Sequence, residues 1–215
     1  MIVNQVVTGV IGIIIGYLLG TIPSAYLMTR LVTGKDIRNL GGGNIGGLNT
    51  YREVGTGPAA IVALVDLSKG AASVAIAYYL LDLPLVFVLL AGLFAVIGHN
   101  WMVWLKFSGG RGMGPAIGAV TMAIPLYGHA WGLLYFYIVI VIPLVATRNV
   151  ALSMGTGLLS LPLIVWLTTQ SGTATLMAAI MGLIIGGKFY PTAKKSWTTA
   201  KSKKDFVFDR SLKKR

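Results

Sequence analysis

The chain has 215 residues, 55% hydrophobic and only 11% charged, with a net charge of +12. A typical soluble domain carries roughly 25% charged residues, so lipid rather than water must be the main solvent of this surface. The absence of cysteine excludes disulfides, thiolate metal sites and thiol nucleophiles. The two histidines stand in no metal-ligand spacing, so neither metal nor cofactor is expected.

A membrane-crossing helix needs about 20 apolar residues. Residues 1–29 carry no charged side chain, and without a basic leader region they read as a retained first helix, Val6 to Tyr26, rather than a signal peptide. Ser24, after Pro23, is expected to cap or kink it. A polar stretch follows, Lys35-Asp-Ile-Arg-Asn-Leu-Gly-Gly-Gly-Asn-Ile-Gly-Gly-Leu-Asn-Thr-Tyr-Arg52. Its glycines permit backbone conformations that turn successive N–H groups toward an anion. Gly43, Gly46, Asn44, Asn49 and Arg52 are the candidate binding groups, since a mere spacer needs no fixed donors.

The second helix is expected from Gly57 to Leu81. It contains Asp66 and Lys69, three apart on one face, which can neutralise each other or serve function, as costly intramembrane charges often do. The third runs from Pro84 to about Leu105 and carries His99, a candidate general base or a hydrogen-bonded structural residue. Next comes Lys106-Phe-Ser-Gly109-Gly110-Arg111-Gly112, a small phosphate cradle of glycine N–H groups and cations at the start of a helix whose dipole favours an anion. It is not a Walker sequence. Lys106 and Arg111 are its charged groups.

The 36 uncharged residues between Arg111 and Arg148 break at Pro125 and Gly128, giving a short helix, Met113 to Leu126, and a full one, His129 to Ala146. Asn149 to Gly187 breaks at Gln170-Ser-Gly172 and supplies two more. The expected architecture is therefore all-α: a polytopic bundle of seven transmembrane helices, residues 1–193, followed by a basic tail, residues 194–215. Ten of the 18 Lys and Arg lie between Lys188 and Arg215, and the loops near Asp82, Pro125 and Gln170 hold none. The positive-inside rule then sets the N-terminus outside and the C-terminus in the cytoplasm. The tail is explained by anionic inner-leaflet lipid rather than nucleic acid.

The stretches Gly20-Thr-Ile-Pro-Ser24, Asp36 to Asn49, Asp66-Leu-Ser-Lys-Gly70, Gly98-His-Asn100 and Leu105 to Gly112 occur in an order and spacing that resemble the bacterial acyl-phosphate-dependent glycerol-3-phosphate acyltransferases. The resemblance implies a seven-helix enzyme of the bacterial cytoplasmic membrane with its site on the cytoplasmic side. Its partners would be acyl phosphate, glycerol 3-phosphate and membrane lipids, with no metal and no covalent intermediate. Arg52 and Arg111 become the expected phosphate clamps, because guanidinium binds phosphate bidentately; the glycines of 41–47 and 109–112, with Asn44, Asn49, Lys69 and Lys106, would line the site. Several family positions differ here: Gly42 and Leu48 stand where hydroxyl residues are usual, and Arg111 stands for Lys. Where the family's last helix ends in an Arg-His-x-x-Asn motif, this chain reads Lys188-Phe-Tyr-Pro-Thr192. A paralogue acylating another hydroxylated phosphate is the alternative, and a transporter of phosphorylated metabolites the rival from another class.

Overall fold

The structure, a computed structural model, describes residues 2–199. Every regular element among them is helical; one isolated antiparallel bridge joins Met102 to Ser108. The nine α-helices among the described residues are α1 (Ile2–Gly20), α2 (Ser24–Thr33), α3 (Gly47–Glu53), α4 (Thr56–Ala75), α5 (Leu85–Asn100), α6 (Met113–Ala123), α7 (Trp131–Thr147), α8 (Val150–Thr169) and α9 (Gly172–Thr199). Among the described residues, four stretches are long and apolar enough to cross a membrane: Val3–Thr33, Thr56–Leu80, Val150–Thr169 and Gly172–Lys194. Shorter apolar helices occupy Leu85–Asn100, Met113–Tyr127 and Trp131–Thr147. Most of the basic tail expected from residue 194 lies outside the described residues.

The chain divides into two compact units, Met1–Ala123 and Ile124–Arg215. In the first, small residues set the packing, as they do where lipid supplies no hydrophobic drive for helices to associate. A side-chain carbon added at Gly16 or Gly20 would strike the carbonyls of Ala91 and Ala95, so α1 lies with its backbone against α5. Gly98 on α5 faces the Tyr17 carbonyl in the same way, and Gly70 and Gly118 bring α4 and α6 together. Such contacts leave no space for even one methyl group. They hold α5 and α4 at fixed depth, so that Asp66 and Lys69 within α4 stay in register with His99 at the end of α5.

Helix boundaries depart from expectation at two places. The first span does not run unbroken to Tyr26: α1 stops at Gly20 and α2 starts at Ser24. Pro23, lacking an N–H, cannot continue the first helix's hydrogen bonds, so the kink expected here is a full break. Ser24 does not cap α2 through its side chain; its hydroxyl is used elsewhere. The third helix ends at Asn100, five residues before Leu105, because the chain turns there through a short 3-10 segment, Val103–Leu105. Lys106 and Phe107, both at positive φ, complete that turn. α2 ends on Gly34 in the left-handed conformation, its N–H bonded to the Arg30 carbonyl at 3.0 Å.

In the second unit, α7, α8 and α9 pack around Phe136, Ile140, Leu161 and Ile185. The Asn149 side chain accepts from the Leu152 N–H at 3.1 Å and so caps α8. Ser153, buried, bonds back to the Asn149 carbonyl.

Candidate active site

The first unit gathers its polar groups where α2, α4 and α5 meet the two glycine loops. A small apolar cluster of Ala25, Ile37, Ile45, Val62, Met102 and Leu105 fixes this junction, with residues from both loops anchored in it. Ile37 and Ile45 bracket the first loop, while Met102 and Leu105 hold the turn before the second. The loops are thus attached to the core rather than free.

Within the first loop, Asp36 starts a short turn by accepting the Arg38 N–H at 2.9 Å and pairs with its guanidinium at 2.6 Å. Hydrogen bonding to Arg38 holds the Asp36 carboxyl below the usual carboxylate range. Asn49, buried on α3, spans the loop: its amide donates to the Leu40 carbonyl at 3.1 Å and accepts the Gly42 N–H at 3.3 Å. Gly41 and Gly43 sit at φ +53° and +68°, conformations that L side chains rarely adopt. The Gly46 carbonyl receives both the N–H and the hydroxyl of Thr50, and the Asn44 amide lies close to Gly46.

The second loop rests on the end of α5. The Gly110 N–H donates to the His99 carbonyl at 2.9 Å. A carbon added at Gly109 would strike the carbonyls of His99 and Asn100; at Gly110 it would strike the His99 ring at Nε2 and the Ile45 carbonyl of the first loop. At Gly112 it would lie 2.7 Å from Asn100 Oδ1. Asn100 is fully buried, and its amide makes no hydrogen bond among the described residues. Both glycine loops therefore converge on His99, with Gly110 between the ring and Ile45.

Charge gathers at the same place. Burial, and after it the neighbouring Arg52 guanidinium, lowers the pKa of Arg111 from the ordinary arginine value. A partly desolvated cation held beside a second one is the electrostatic setting in which an anion gains most. Arg52 stands on the last turn of α3, exposed; Arg111 is half-buried; Lys106 is exposed on the turn before them.

Beneath the loops lies a buried polar chain. Ser24 Oγ donates to Asp66 Oδ1 at 2.7 Å, and the Lys69 ammonium reaches the same oxygen at 2.8 Å. Lys69 also donates to the Ile22 carbonyl at 3.1 Å and lies 2.8 Å from His99 Nδ1. The broken first helix makes this possible: between the end of α1 at Gly20 and the start of α2 at Ser24, the Ile22 carbonyl can accept from Lys69 as well as from the Ser24 N–H, and Ser24 Oγ meets α4. All four side chains are buried.

A family model described as glycerol-3-phosphate acyltransferase matches residues 10–197. Glycerol-3-phosphate acyltransferase 1 of Dehalococcoides mccartyi is 50% identical over 197 residues, 92% of this chain and 95% of that one. The chain belongs to the glycerol-3-phosphate acyltransferase family. A relative from a Synechococcus species, also named glycerol-3-phosphate acyltransferase, is 38% identical over 84% of this chain and 86% of its own. The crystal structure of PlsY, an integral membrane glycerol 3-phosphate acyltransferase, in its glycerol 3-phosphate form superposes with a TM-score of 0.79. Its identity is 26%, over 88% of this chain and 92% of that chain.

Against this family background the sequence-level candidates separate. Gly110 meets the first loop at the Ile45 carbonyl and Arg111 lies near Arg52, while Gly109 and Gly112 pack on the end of α5. Asn49 is spent on bracing that loop, and Lys69 is enclosed with its ammonium on three acceptors. The Asp66–Lys69 pair anticipated from spacing is present. Nothing in the sequence pairs Ser24 with Asp66, because the two are 42 residues apart and only the break around Pro23 brings them together.

Proposed function

We propose that this acyltransferase takes its acyl chain from acyl phosphate and places it on the 1-hydroxyl of glycerol 3-phosphate, releasing lysophosphatidate and inorganic phosphate. The hydroxyl oxygen attacks the acyl carbon, the bond from that carbon to the phosphate oxygen breaks, and the hydroxyl proton ends on the departing phosphate. The donor is already activated, so the protein's task is to position two phosphates and neutralise the one that leaves. The observation that carries this reading is the meeting of two glycine loops at His99, with Arg52 beside the half-buried Arg111. Loop N–H groups and the two guanidiniums would hold the donor phosphate, with Lys106 at the rim and Asn44 beside Gly46.

The three shorter apolar helices are read as further crossings. With the break at Pro23 kept inside the first one, the count is seven, the N-terminus outside and the C-terminus in the cytoplasm. The complete segregation of Lys and Arg supports this orientation, and with it a multi-pass protein of the bacterial cytoplasmic membrane. The ten basic residues from Lys188 onward would then face anionic lipid.

Acceptor choice is where a second reading has an observation of its own, the segment Lys188 to Thr192 in place of the family's Arg-His-x-x-Asn. Purified protein given acyl phosphate and a panel of hydroxylated phosphates decides between them. Glycerol 3-phosphate should be acylated faster than any other acceptor. Preferential turnover of a different phosphate would establish the paralogue instead.

A further inference from the structure

The buried chain Ser24–Asp66–Lys69–His99 takes no part in the reaction as written, yet it is built with full hydrogen-bond accounting. A lysine ammonium has three protons and no acceptor. Those of Lys69 have three acceptors in reach: Asp66 Oδ1 at 2.8 Å, the Ile22 carbonyl at 3.1 Å and His99 Nδ1 at 2.8 Å. The first carries a negative charge that balances the ammonium, and Ser24 donates to that same carboxylate at 2.7 Å. Asp66 Oδ1 also lies 3.6 Å from His99 Nδ1, so the ammonium at 2.8 Å is the nearer of the two groups facing that nitrogen.

The consequence falls on the imidazole. An ammonium can only donate, so Nδ1 must accept, and a neutral ring that accepts at Nδ1 carries its proton on Nε2. That nitrogen is the one facing Gly110, where a side-chain carbon could not fit. The ring is fixed from one side by Lys69 and covered on the other by the second glycine loop, whose Gly110 N–H also bonds the His99 carbonyl.

We propose that Lys69 holds His99 as the neutral Nε2–H tautomer, making His99 a hydrogen-bond donor that positions the 109–112 loop and not a general base. Lys69 is then a positioning residue acting through His99. The part concerning the loop rests on the reading of 109–112 as a phosphate site; the tautomer does not. A base role would need Nε2 unprotonated, which the Lys69 contact forbids while the lysine is charged.

Two measurements test this. In a His129→Gln background His99 is the only histidine, and nitrogen NMR of the full chain in lipid nanodiscs at neutral pH reads its ring directly. A single neutral species with the proton on Nε2 is expected, and Lys69→Met should release it into a mixture or move the proton to Nδ1. An Nδ1–H tautomer or an imidazolium in the parent protein would overturn the assignment. The second compares His99→Gln, which can place a donor near the Nε2 position, with His99→Asn, which can accept from Lys69 but cannot reach the loop.

With thermal unfolding confirming that both variants fold, His99→Asn should raise the donor KM roughly tenfold above His99→Gln, the size of one hydrogen bond within a charged site. A role confined to completing the Lys69 contacts gives the opposite order. Equal values overturn the positioning role. Arg111→Ala is assayed alongside: if it too leaves the donor KM unchanged, the fault lies with the phosphate reading of the loop, and the NMR result still judges the tautomer.

Discussion

Gly110→Ala concentrates the structural argument in one methyl group. The added carbon would lie closer than 3.0 Å to two groups, the His99 ring nitrogen Nε2 and the Ile45 carbonyl. Neither is the loose end of a flexible chain. The ring is tied to Lys69, and the carbonyl is backbone in a loop anchored by the buried Ile45 side chain. Overpacking of this kind costs about 1–3 kcal/mol, and here it separates the two loops rather than distorting one. If the loops yield by about 1 Å, a displacement of that size costs on the order of 10²-fold in rate. Acyl transfer measured while acyl phosphate is varied should therefore show kcat/KM lowered by about 10²-fold, with a measurable loss of thermal stability. Gly57→Ala supplies the control, since nothing lies within 4 Å of its added carbon; it should be neutral or gain up to about 1 kcal/mol of helix stability. A Gly110→Ala protein with wild-type turnover and wild-type stability would refute the convergence of the two loops on His99.

Arg111→Ala should lower acyl-phosphate turnover by about 10²-fold or more, and Arg111→Lys should recover part of it by restoring charge without the bidentate fork; near-normal turnover in a folded Ala variant would remove the second loop from the phosphate site. Lys69→Met leaves the buried Asp66 carboxylate without its cation and should destabilise the protein by roughly 3–5 kcal/mol, with the double variant Lys69→Met, Asp66→Asn recovering a substantial part, as unfolding measurements would show. A reporter fused after Arg215 should be active only in the cytoplasm and one near Gln170 only outside; finding both on one side would remove the last crossing.

The membrane-spanning plan is legible in the sequence because lipid enforces it: uncharged runs must be helices whose backbone polar groups are satisfied within the segment. Breaks at Pro125 and at Gln170-Ser-Gly172 appear where turn residues stand, and helix ends fall there. The Asp66–Lys69 pair was equally readable, being a matter of three residues on one helix. What stayed hidden depends on distance along the chain. Ser24 meets Asp66, and Lys69 meets His99, across 42 and 30 residues. The bracing of residues 40 to 42 by Asn49 is equally hidden, because it depends on how the loop folds back. The end of the third helix at Asn100 is likewise hidden, since Trp101 to Leu105 is apolar and the turn is completed only by the conformations of Lys106 and Phe107.

The donor is the part of the proposal on which the roles of both glycine loops depend. Purified protein in nanodiscs should be supplied with labelled glycerol 3-phosphate and either acyl phosphate or an acyl thioester of the same chain length, and lysophosphatidate and released phosphate counted together. If the two glycine loops and the neighbouring guanidiniums bind the donor phosphate as proposed, the assay gives product from acyl phosphate, one inorganic phosphate for each lysophosphatidate, and little or none from the thioester. Efficient transfer from the thioester, with acyl phosphate left intact, would contradict the account.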